Sequence, residues 1–195
     1  MPRTESQYAQ IREKKKKLIM DTALQLFAGE GYHNTAISTI ARKAGIAKGL
    51  LYNYFKSKDE LLNALIKTGT DDFMELFNPD REGIPTDEEM IHLIDAAFML
   101  VKKNLQYWKL YFAMLLQPFV MDKMRETVAR LYPRYVQLMS AYFQKKGSTD
   151  PETESLVFGM LLDGLTVNYL ISPEHFPEEK IKRIIIRKYL NIKHF

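Results

Sequence analysis

The stretch Thr35–Leu61, TAISTIARKAGIAKGLLYNYFKSKDEL, contains the most informative pattern in this chain. Its apolar spacing predicts two short helices, at about 37–44 and about 48–55, joined by a tight turn at Ala44-Gly45-Ile46. Gly45 suits the turn because glycine takes a positive φ without a Cβ penalty. Two short helices joined in this way are typical of a helix-turn-helix, whose second helix enters the major groove of DNA.

The second of these helices, which we call the reading helix, divides into two faces on a wheel at about 100° per residue. Leu51 and Phe55 fall on one side, and we expect them to pack onto Ile40, Ala41 and Ile46. The opposite side carries Lys48, Gly49, Leu50, Tyr52 and Asn53. An exposed leucine and tyrosine are explained if this side meets DNA. The alternative is a similar helix pair in a plain bundle, because short helices with a glycine turn are common.

The residue types on the outward side fit the edges of base pairs. Gly49 lets the backbone approach closely, and Leu50 can contact a thymine methyl group. Asn53 can pair with adenine, whereas Lys48 can bind guanine or a phosphate. The sequence does not distinguish base contacts from phosphate contacts for these residues.

Basic side chains surround the reading helix. Residues 1–58 carry a net charge of +7 and residues 59–195 carry −3, within a total of +4. This split predicts a polyanionic partner at the N-terminal end, although a solvated basic surface has the same composition. Lys58 is the strongest phosphate candidate because it lies just past the reading helix. The other flanking cations are Lys14–Lys17, Arg42, Lys43 and Lys56.

Composition argues against several other functions. The 195 residues include no cysteine, which rules out disulfides, thiolate nucleophiles and cysteine-based zinc sites. The four histidines are scattered, and neither an HExxH motif nor a glycine-rich phosphate loop occurs. We therefore expect no enzymatic activity, no metal and no cofactor. With no secretory signal and no run of about 18 apolar residues, we expect a cytoplasmic protein without a membrane partner.

Apolar residues recur mostly at spacings of three and four, and strand-like alternation is nearly absent. The pattern predicts an all-α fold of about nine helices. Pro118 is expected to end the sixth helix, the ninth is predicted at about 178–191, and residues 78–85 are predicted to be a linker. Helix caps are predicted at Thr35, Ser57 with Glu60, Thr86 with Glu89, and Asp150 followed by Pro151.

The first third of the chain resembles the DNA-binding domain of the TetR/AcrR family of bacterial transcriptional regulators. That domain has an ALxLFxxxGYxxT stretch followed by IAxxAGVSKGTLYxYFxSKxxL. The matching positions occur in order at Ala23, Leu24, Leu26, Phe27, Gly31, Tyr32, Thr35, Ile40, Ala41, Ala44, Gly45, Ile46, Lys48, Gly49, Leu51, Tyr52, Tyr54, Phe55, Ser57, Lys58 and Leu61. Ala47 replaces the usual serine cap of the reading helix, and Leu50 replaces the usual threonine. These departures put the usual operator contacts in doubt but not the fold.

The resemblance implies two domains: a three-helix DNA-binding domain at residues 1–58 and a helical ligand-binding and dimerisation domain at residues 59–195. The first domain is expected to bind double-stranded DNA. The residues expected to contact it are Thr35, Arg42, Lys43, Ala47, Lys48, Gly49, Leu50, Tyr52, Asn53, Tyr54 and Lys58.

The second domain is expected to bind a small apolar or amphipathic effector and to form a homodimer through its last two helices. Its large apolar side chains suit a pocket, although any single one of them fits a core position better than a pocket position. The candidate ligand contacts are His92, Trp108, Tyr111, Gln117, Tyr135, Asp163 and Asn168. The candidate dimer contacts are Gly159, Gly164, Ile181, Ile185 and Tyr189.

The function expected from this resemblance is that of a ligand-responsive repressor. A twofold dimer places two reading helices about 34 Å apart and therefore predicts a palindromic operator. The alternative is a helix-turn-helix protein of the same fold with an architectural or protein-partner role and no small-molecule inducer. An effector that raises the melting temperature distinguishes the two.

Overall fold

The computed structural model describes residues 5–77 and 83–190, and these residues form helices and no strand. The predicted all-α fold is confirmed. The main helices are α1 (Glu5–Glu30), α2 (Ile37–Lys43), α3 (Lys48–Tyr52), α4 (Lys58–Leu76), α5 (Asp87–Lys103), α6 (Leu105–Leu115), α7 (Pro118–Lys145), α8 (Pro151–Ile171) and α9 (Glu178–Ile185). A short 3-10 turn at Pro173–His175 precedes α9, and a π-helical turn at Ile186–Leu190 follows it.

Helix ends differ from the sequence predictions in two places. The reading helix, α3, ends at Tyr52 rather than Phe55, although turns bonded to Leu50 and Leu51 carry the chain on to Phe55. Pro118 begins α7, since proline is tolerated in the first turn of a helix, where its missing N–H is not needed. Most of the predicted linker 78–85 and the predicted end of the last helix at residue 191 lie outside the described residues.

The predicted caps of α5 and α8 are confirmed. The Thr86 hydroxyl accepts a hydrogen bond from the Glu89 N–H, and the Glu89 carboxylate accepts one from the Thr86 N–H, which completes a capping box. Asp150 accepts a bond from the Thr153 N–H at 3.2 Å. These bonds satisfy backbone donors that the first turn of a helix leaves free.

The cap of α4 is a variant of the predicted box. The Ser57 hydroxyl accepts a hydrogen bond from the Glu60 N–H at 3.0 Å, as predicted. The Glu60 carboxylate, however, accepts from the N–H of Lys56 at 2.6 Å rather than from that of Ser57. The bond therefore ties down the end of the segment that follows α3.

The chain divides into two compact units. One comprises the residues up to Thr70 together with Leu110–Arg125, and the other comprises Asp71–Lys109 and the residues from Glu126 onward. The predicted functional boundary after residue 58 stays a prediction, because compactness does not say which residues bind DNA.

The first unit buries one face of α1, α2 and α3 together with the start of α4. Phe27, Ile40, Leu51 and Phe55 are among its fully buried side chains. The segment 110–125 completes this core, because the Tyr111 hydroxyl donates to the carbonyl of Ile66 at 3.0 Å. The Tyr111 ring also occupies the space that a Cβ at residue 69 would need, so glycine is required there.

The second unit is built on α5, α7, α8 and α9, whose apolar faces share one core. Phe98, Tyr142, Phe143 and Phe158 are central to it, with the Phe143 and Phe158 rings in edge contact at 5.8 Å. The π-helical turn contributes Leu190. The C-terminal end of the described chain therefore belongs to this core.

A network of charges links α5 to α9 within the second unit. The Lys182 ammonium lies 2.8 Å from the Asp95 carboxylate and 2.7 Å from that of Glu178, which also pairs with Lys102. Burial would raise the pKa of Glu178, but the hydrogen bonds from Lys102 and Lys182 outweigh it and hold that pKa below its usual range. The ionised carboxylate is thus favoured by folding.

Replacing Glu178 by glutamine should lower the free energy of unfolding at pH 7 by about 1–3 kcal/mol, because charge-assisted hydrogen bonds are lost. A depressed pKa contributes stability above the unfolded-state pKa, and this contribution disappears as pH falls through the folded-state value. Urea titrations should therefore show the difference from wild type shrinking below about pH 4. Glu179→Gln, at an exposed neighbour, is the control. Equal effects of the two substitutions would contradict the network's role.

The helix α8 is long and apolar enough to cross a membrane when judged by length and composition alone. The core helix of a soluble protein passes the same test. Asp163 interrupts the apolar run, and Phe158 and Leu162 on this helix are buried in the core of the second unit. Several other apolar side chains of α8 are exposed, which requires an explanation.

Candidate functional site

The turn between α2 and the reading helix is fixed by backbone hydrogen bonds. Gly45 has a φ of +64°, which is the left-handed conformation predicted for the turn. The N–H of Gly45 donates to the carbonyl of Arg42, and the N–H of Ile46 donates to that of Ala41. This pair of bonds is a Schellman motif, and it sets the direction in which the chain enters the reading helix.

The reading helix is amphipathic as its wheel predicts. Leu51 and Phe55 are buried in the core of the first unit. Leu50 and Tyr52 are exposed although they are large and apolar. The outward residues of this surface, which we call the reading face, are Lys48, Gly49, Leu50, Tyr52 and Asn53. An exposed face of this kind on a helix-turn-helix is suited to the floor of a DNA groove.

Two tyrosines, Tyr52 on the reading face and Tyr54 beside it, each contact a basic side chain. The Lys48 ammonium lies 5.9 Å from the centre of the Tyr52 ring, one helical turn away. The guanidinium of Arg12, on α1, lies 5.6 Å from the centre of the half-buried Tyr54 ring. Both are cation–π contacts. Arg42, Lys43 and Ala47, also predicted to contact DNA, are exposed nearby in the chain.

The prediction that Thr35 caps α2 and contacts DNA is wrong for its side chain. Thr35 is only 1% exposed, and its hydroxyl donates to the carbonyls of Gly31 and Leu26 at 2.8 and 3.3 Å. The N-cap of α2 is Ala36, which has no side-chain acceptor. Thr35 therefore joins the start of α2 to the end of α1.

Lys58 also has a different role from the predicted phosphate contact. Its ammonium donates to the carbonyls of Tyr32 and Thr35 at 2.8 and 3.0 Å. It also lies 4.4 Å from the centre of the Tyr32 ring. Because its donors bind carbonyls of the loop between α1 and α2, the structure assigns Lys58 to holding that loop on α4.

Gln117, predicted to contact a ligand, instead binds the end of α1 and the loop that follows it. Its amide nitrogen donates to the carbonyl of Phe27 at 2.6 Å, and its amide oxygen accepts from the Tyr32 N–H at 2.9 Å. Phe119 stacks on the Tyr32 ring, with the ring centres 4.8 Å apart. The Tyr32 hydroxyl donates to Asp59, and burial together with this bond raises the Tyr32 pKa. Sequence reasoning missed this cluster because the contacts join residues up to 90 positions apart.

Three other predicted ligand contacts are aromatic residues with structural hydrogen bonds. The Trp108 indole N–H donates to the carbonyl of Leu100, and the Tyr111 hydroxyl donates to that of Ile66. The Tyr135 hydroxyl donates to the carbonyl of Ser155 at 2.7 Å. Trp108 and Tyr111 are fully buried, so both are part of the core rather than of an open pocket.

The remaining three predicted ligand contacts lie at the surface of the second unit. His92 lines a cavity of about 230 Å³ between the end of α4, the start of α5 and α7. Asn168 lines an open groove of about 510 Å³ between α8 and α9. Asp163 is exposed on α8, where the surrounding protein raises the pKa of its carboxyl by desolvation. The structure therefore does not bring the seven predicted residues into one site.

Four of the five predicted dimer residues make contacts within the chain instead. Ile185 is buried in the core of the second unit, and Ile181 and Tyr189 pack against that core. A Cβ at Gly159 would lie 2.8 Å from the Tyr135 hydroxyl, so this glycine serves a contact within the chain. Gly164 alone of the five is exposed with open space above it.

The reading helix has a cap that can be improved. Ala47 is its N-cap and makes no side-chain hydrogen bond. We expect Ala47→Ser to raise the free energy of unfolding by about 1 kcal/mol, because a serine hydroxyl can accept from a free backbone N–H of the first turn. Chemical denaturation measures the gain. Ala47→Val, which adds no acceptor, should give none, and an equal gain from both would point to a cause other than capping.

Comparison with known proteins shows a similarity to one family in the N-terminal third of the chain. A model of bacterial regulatory proteins of the tetR family matches residues 19–65. The fatty acid metabolism regulator protein of Bacillus subtilis is 37% identical over 76 residues, which is 39% of each chain. The HTH-type transcriptional regulator AcrR of Shigella flexneri is 24% identical over 189 residues, covering 88% of this chain and 87% of that one. In three curated relatives, among them the Bacillus subtilis protein, the matched segment covers only 39%, 19% and 31% of the relative's own length.

Solved structures share the fold over nearly the whole chain. The fatty acid degradation regulator FadR of Bacillus halodurans superposes with a TM-score of 0.68 at 19% identity, covering 93% of this chain and 97% of that one. GusR of Salmonella enterica gives a TM-score of 0.69 at 20% identity, covering 92% and 96%. At these identities the likeness concerns the fold.

Proposed function

Because residues 19–65 match the model of bacterial regulatory proteins of the tetR family, we propose that the chain is a sequence-specific, effector-controlled repressor of that family, which binds a palindromic operator as a homodimer in the cytoplasm. The relatives are transcriptional regulators, so the chain is not an enzyme. The observation that carries the proposal is the reading face, with Leu50 and Tyr52 exposed on a helix whose other side is locked into a core.

The dimer is supported by an exposed apolar stripe on α8. Its members alternate at spacings of three and four, which is the pattern by which one helix packs along another. The stripe consists of Val157, Met160, Gly164, Val167 and Ile171, all exposed. Ile184 on α9 is exposed as well. Two copies related by a twofold axis would bury both stripes in one interface.

A partner helix explains the stripe better than lipid does. A membrane-spanning helix is apolar on all sides, whereas α8 carries exposed Asp163 and Asn168 beside the stripe. Its opposite side is already packed in the core of the second unit. We therefore assign the apolar character of α8 to protein–protein contact.

The effector site is proposed at the 230 Å³ cavity of the second unit. Leu76, Phe77, Leu93 and Met139 give it apolar walls, and His92 supplies a polar group at its edge. This combination suits a molecule with an apolar chain and a polar head. Since two relatives are named for fatty acid metabolism or degradation, we propose that the effector carries an acyl chain.

Filling the cavity should abolish the response to such an effector. Fatty acids and their thioesters should raise the melting temperature of the wild type. At a ligand concentration of 100 times Kd, the free energy of unfolding should increase by about 2.7 kcal/mol. Ala96→Phe, at the cavity wall, should remove this shift and leave operator affinity unchanged. If the acyl compound still raised the melting temperature of Ala96→Phe, the effector would bind at another site. No shift with any acyl compound would favour the architectural alternative or a different effector class.

Selection of DNA by the purified chain tests the proposed function as a whole. A random pool of duplexes is bound, recovered and sequenced over several rounds. We expect a motif with two inverted half-sites centred about 34 Å, or about 10 base pairs, apart. Recovery of duplexes with no shared motif would contradict a sequence-specific regulator and favour an architectural protein.

A further inference from the structure

The first half of α1 extends beyond the core on which its second half packs. The helix has 26 residues and is therefore about 39 Å long. Its buried residues begin only at Ile19 and end at Phe27, and no residue of 5–18 is buried. The match to the family model also begins at residue 19. The packing of the DNA-binding core therefore does not explain why the chain continues as a helix in front of it.

The core-facing stripe of α1 changes chemistry along its length. At about 100° per residue, Ala23 points within about 40° of Ile19, and both are buried in the core. In the first half of α1, the side chains within about 60° of that direction are Glu5, Tyr8, Arg12, Lys15 and Lys16. The stripe is thus apolar where it meets the core and cationic over the next two turns, from Lys16 back to Arg12.

The cations on the opposite side of α1 have a different environment. Lys17 points away from the core and pairs with Asp21 at 3.1 Å, as expected of a solvated helix face. Lys14 points in a similar direction. Lys15 and Lys16, on the core-facing stripe, pair with no carboxylate among the residues that the structure describes. A run of four lysines in the sequence therefore contains two different pairs.

The cationic stripe lies beside the reading helix. Arg12 reaches the ring of Tyr54, two residues after the end of α3, at 5.6 Å. When the reading face enters the major groove, the nearest polyanion on this side is the sugar-phosphate backbone that borders the groove. Lysine binds phosphates as a point charge, and arginine binds them with a planar fork.

We propose that Arg12, Lys15 and Lys16 form a second DNA contact, which binds the phosphodiester backbone next to the half-site read by α3. The inference rests on the proposed function, because it takes the reading face to be in the major groove. The contact adds affinity and salt dependence without reading bases. Lys14 and Lys17 take no direct part in it.

Two double variants of equal net charge test this contact. Lys15→Gln with Lys16→Gln removes the stripe lysines, and Lys14→Gln with Lys17→Gln removes the same charge from the other side of the same turns. Operator affinity is measured over a range of salt concentrations. In the first variant the slope of log affinity against log salt should fall by about 1.8 per protomer, since each phosphate contact contributes about 0.9. In the second variant it should change by less than half of that amount.

The outcomes are separable because none of the four lysines is buried, and circular dichroism with thermal melting checks that both variants fold. The ratio of operator to random-duplex affinity should stay at the wild-type value in both. Equal slopes in the two variants, or an unchanged slope in the first, would overturn the proposal. A lowered ratio in the first would also overturn it, because the lysines would then read bases. If the wild type selects no sequence, the regulator proposal fails. The salt slopes measured on random duplex then still show whether Lys15 and Lys16 contact phosphates.

Discussion

Met160→Glu should convert the chain from a dimer to a folded monomer and lower operator affinity by about a hundredfold to ten-thousandfold. Met160 is 67% exposed within the apolar stripe on α8, so the charge costs little in the isolated chain. In a twofold interface the same substitution brings two carboxylates into one apolar contact, which is strongly unfavourable. The loss in affinity follows because two linked reading helices bind with an avidity that one lacks.

Sedimentation should report the 22.8 kDa mass of one chain for this variant, and a gel-shift titration measures its affinity. Met99→Glu is the matched control, because Met99 is 62% exposed on α5, outside the stripe. It should stay dimeric and bind the operator normally. A dimeric Met160→Glu with wild-type affinity would remove the α8 stripe from the interface.

Tyr52→Ala should reduce operator binding to the level seen with random DNA while leaving the fold intact. Tyr52 is 43% exposed and is not part of the core in which Leu51 is buried. Loss of a base-edge contact costs about 1–3 kcal/mol, and a dimer loses two copies of it. The sum is comparable to the roughly 4–10 kcal/mol that separates specific from non-specific binding.

Fluorescence anisotropy at fixed salt measures this loss on operator and random duplexes. Tyr132→Ala is the control, because Tyr132 is 41% exposed on α7, away from the reading helix in the chain. It should bind like the wild type. Tyr52→Phe separates the ring, which also contacts Lys48, from the hydroxyl. Operator affinity that survives in Tyr52→Ala would show that another surface reads the DNA.

Local features of the fold could be predicted from the sequence because their causes lie within a few residues. Gly45 takes the left-handed conformation that its turn requires, and Thr86 with Glu89 forms the expected capping box. The wheel separated buried Leu51 from exposed Tyr52 because a five-residue helix leaves no freedom in which side faces the core. Each of these depends on spacing along one short segment.

Predictions failed where a side chain has a partner distant in sequence. Gln117 resembles a pocket residue because it is polar on an apolar helix, yet it binds the loop after α1, 85 residues earlier. Thr35 has the right residue type for a cap, but its hydroxyl donates back to α1. The composition of a single helix carries no information about such contacts.

The same limit applies to the proposed dimer face. Small size at Gly159 and apolar character at Ile185 predict a dimer contact, but these properties also suit contacts within one chain. The spacing of Val157, Met160, Val167 and Ile171 was present in the sequence. The sequence alone does not say whether these residues or Phe158 and Leu162 face the core, and the structure places Phe158 and Leu162 there.

A hydroxyl-radical footprint of the chain on the duplex recovered by selection shows whether the reading face enters the major groove once per subunit of a twofold dimer. We expect two protected windows related by inversion, about 10 base pairs apart, and both should vanish in Tyr52→Ala. A single window, uniform protection along the duplex, or a footprint unchanged by Tyr52→Ala would contradict this account.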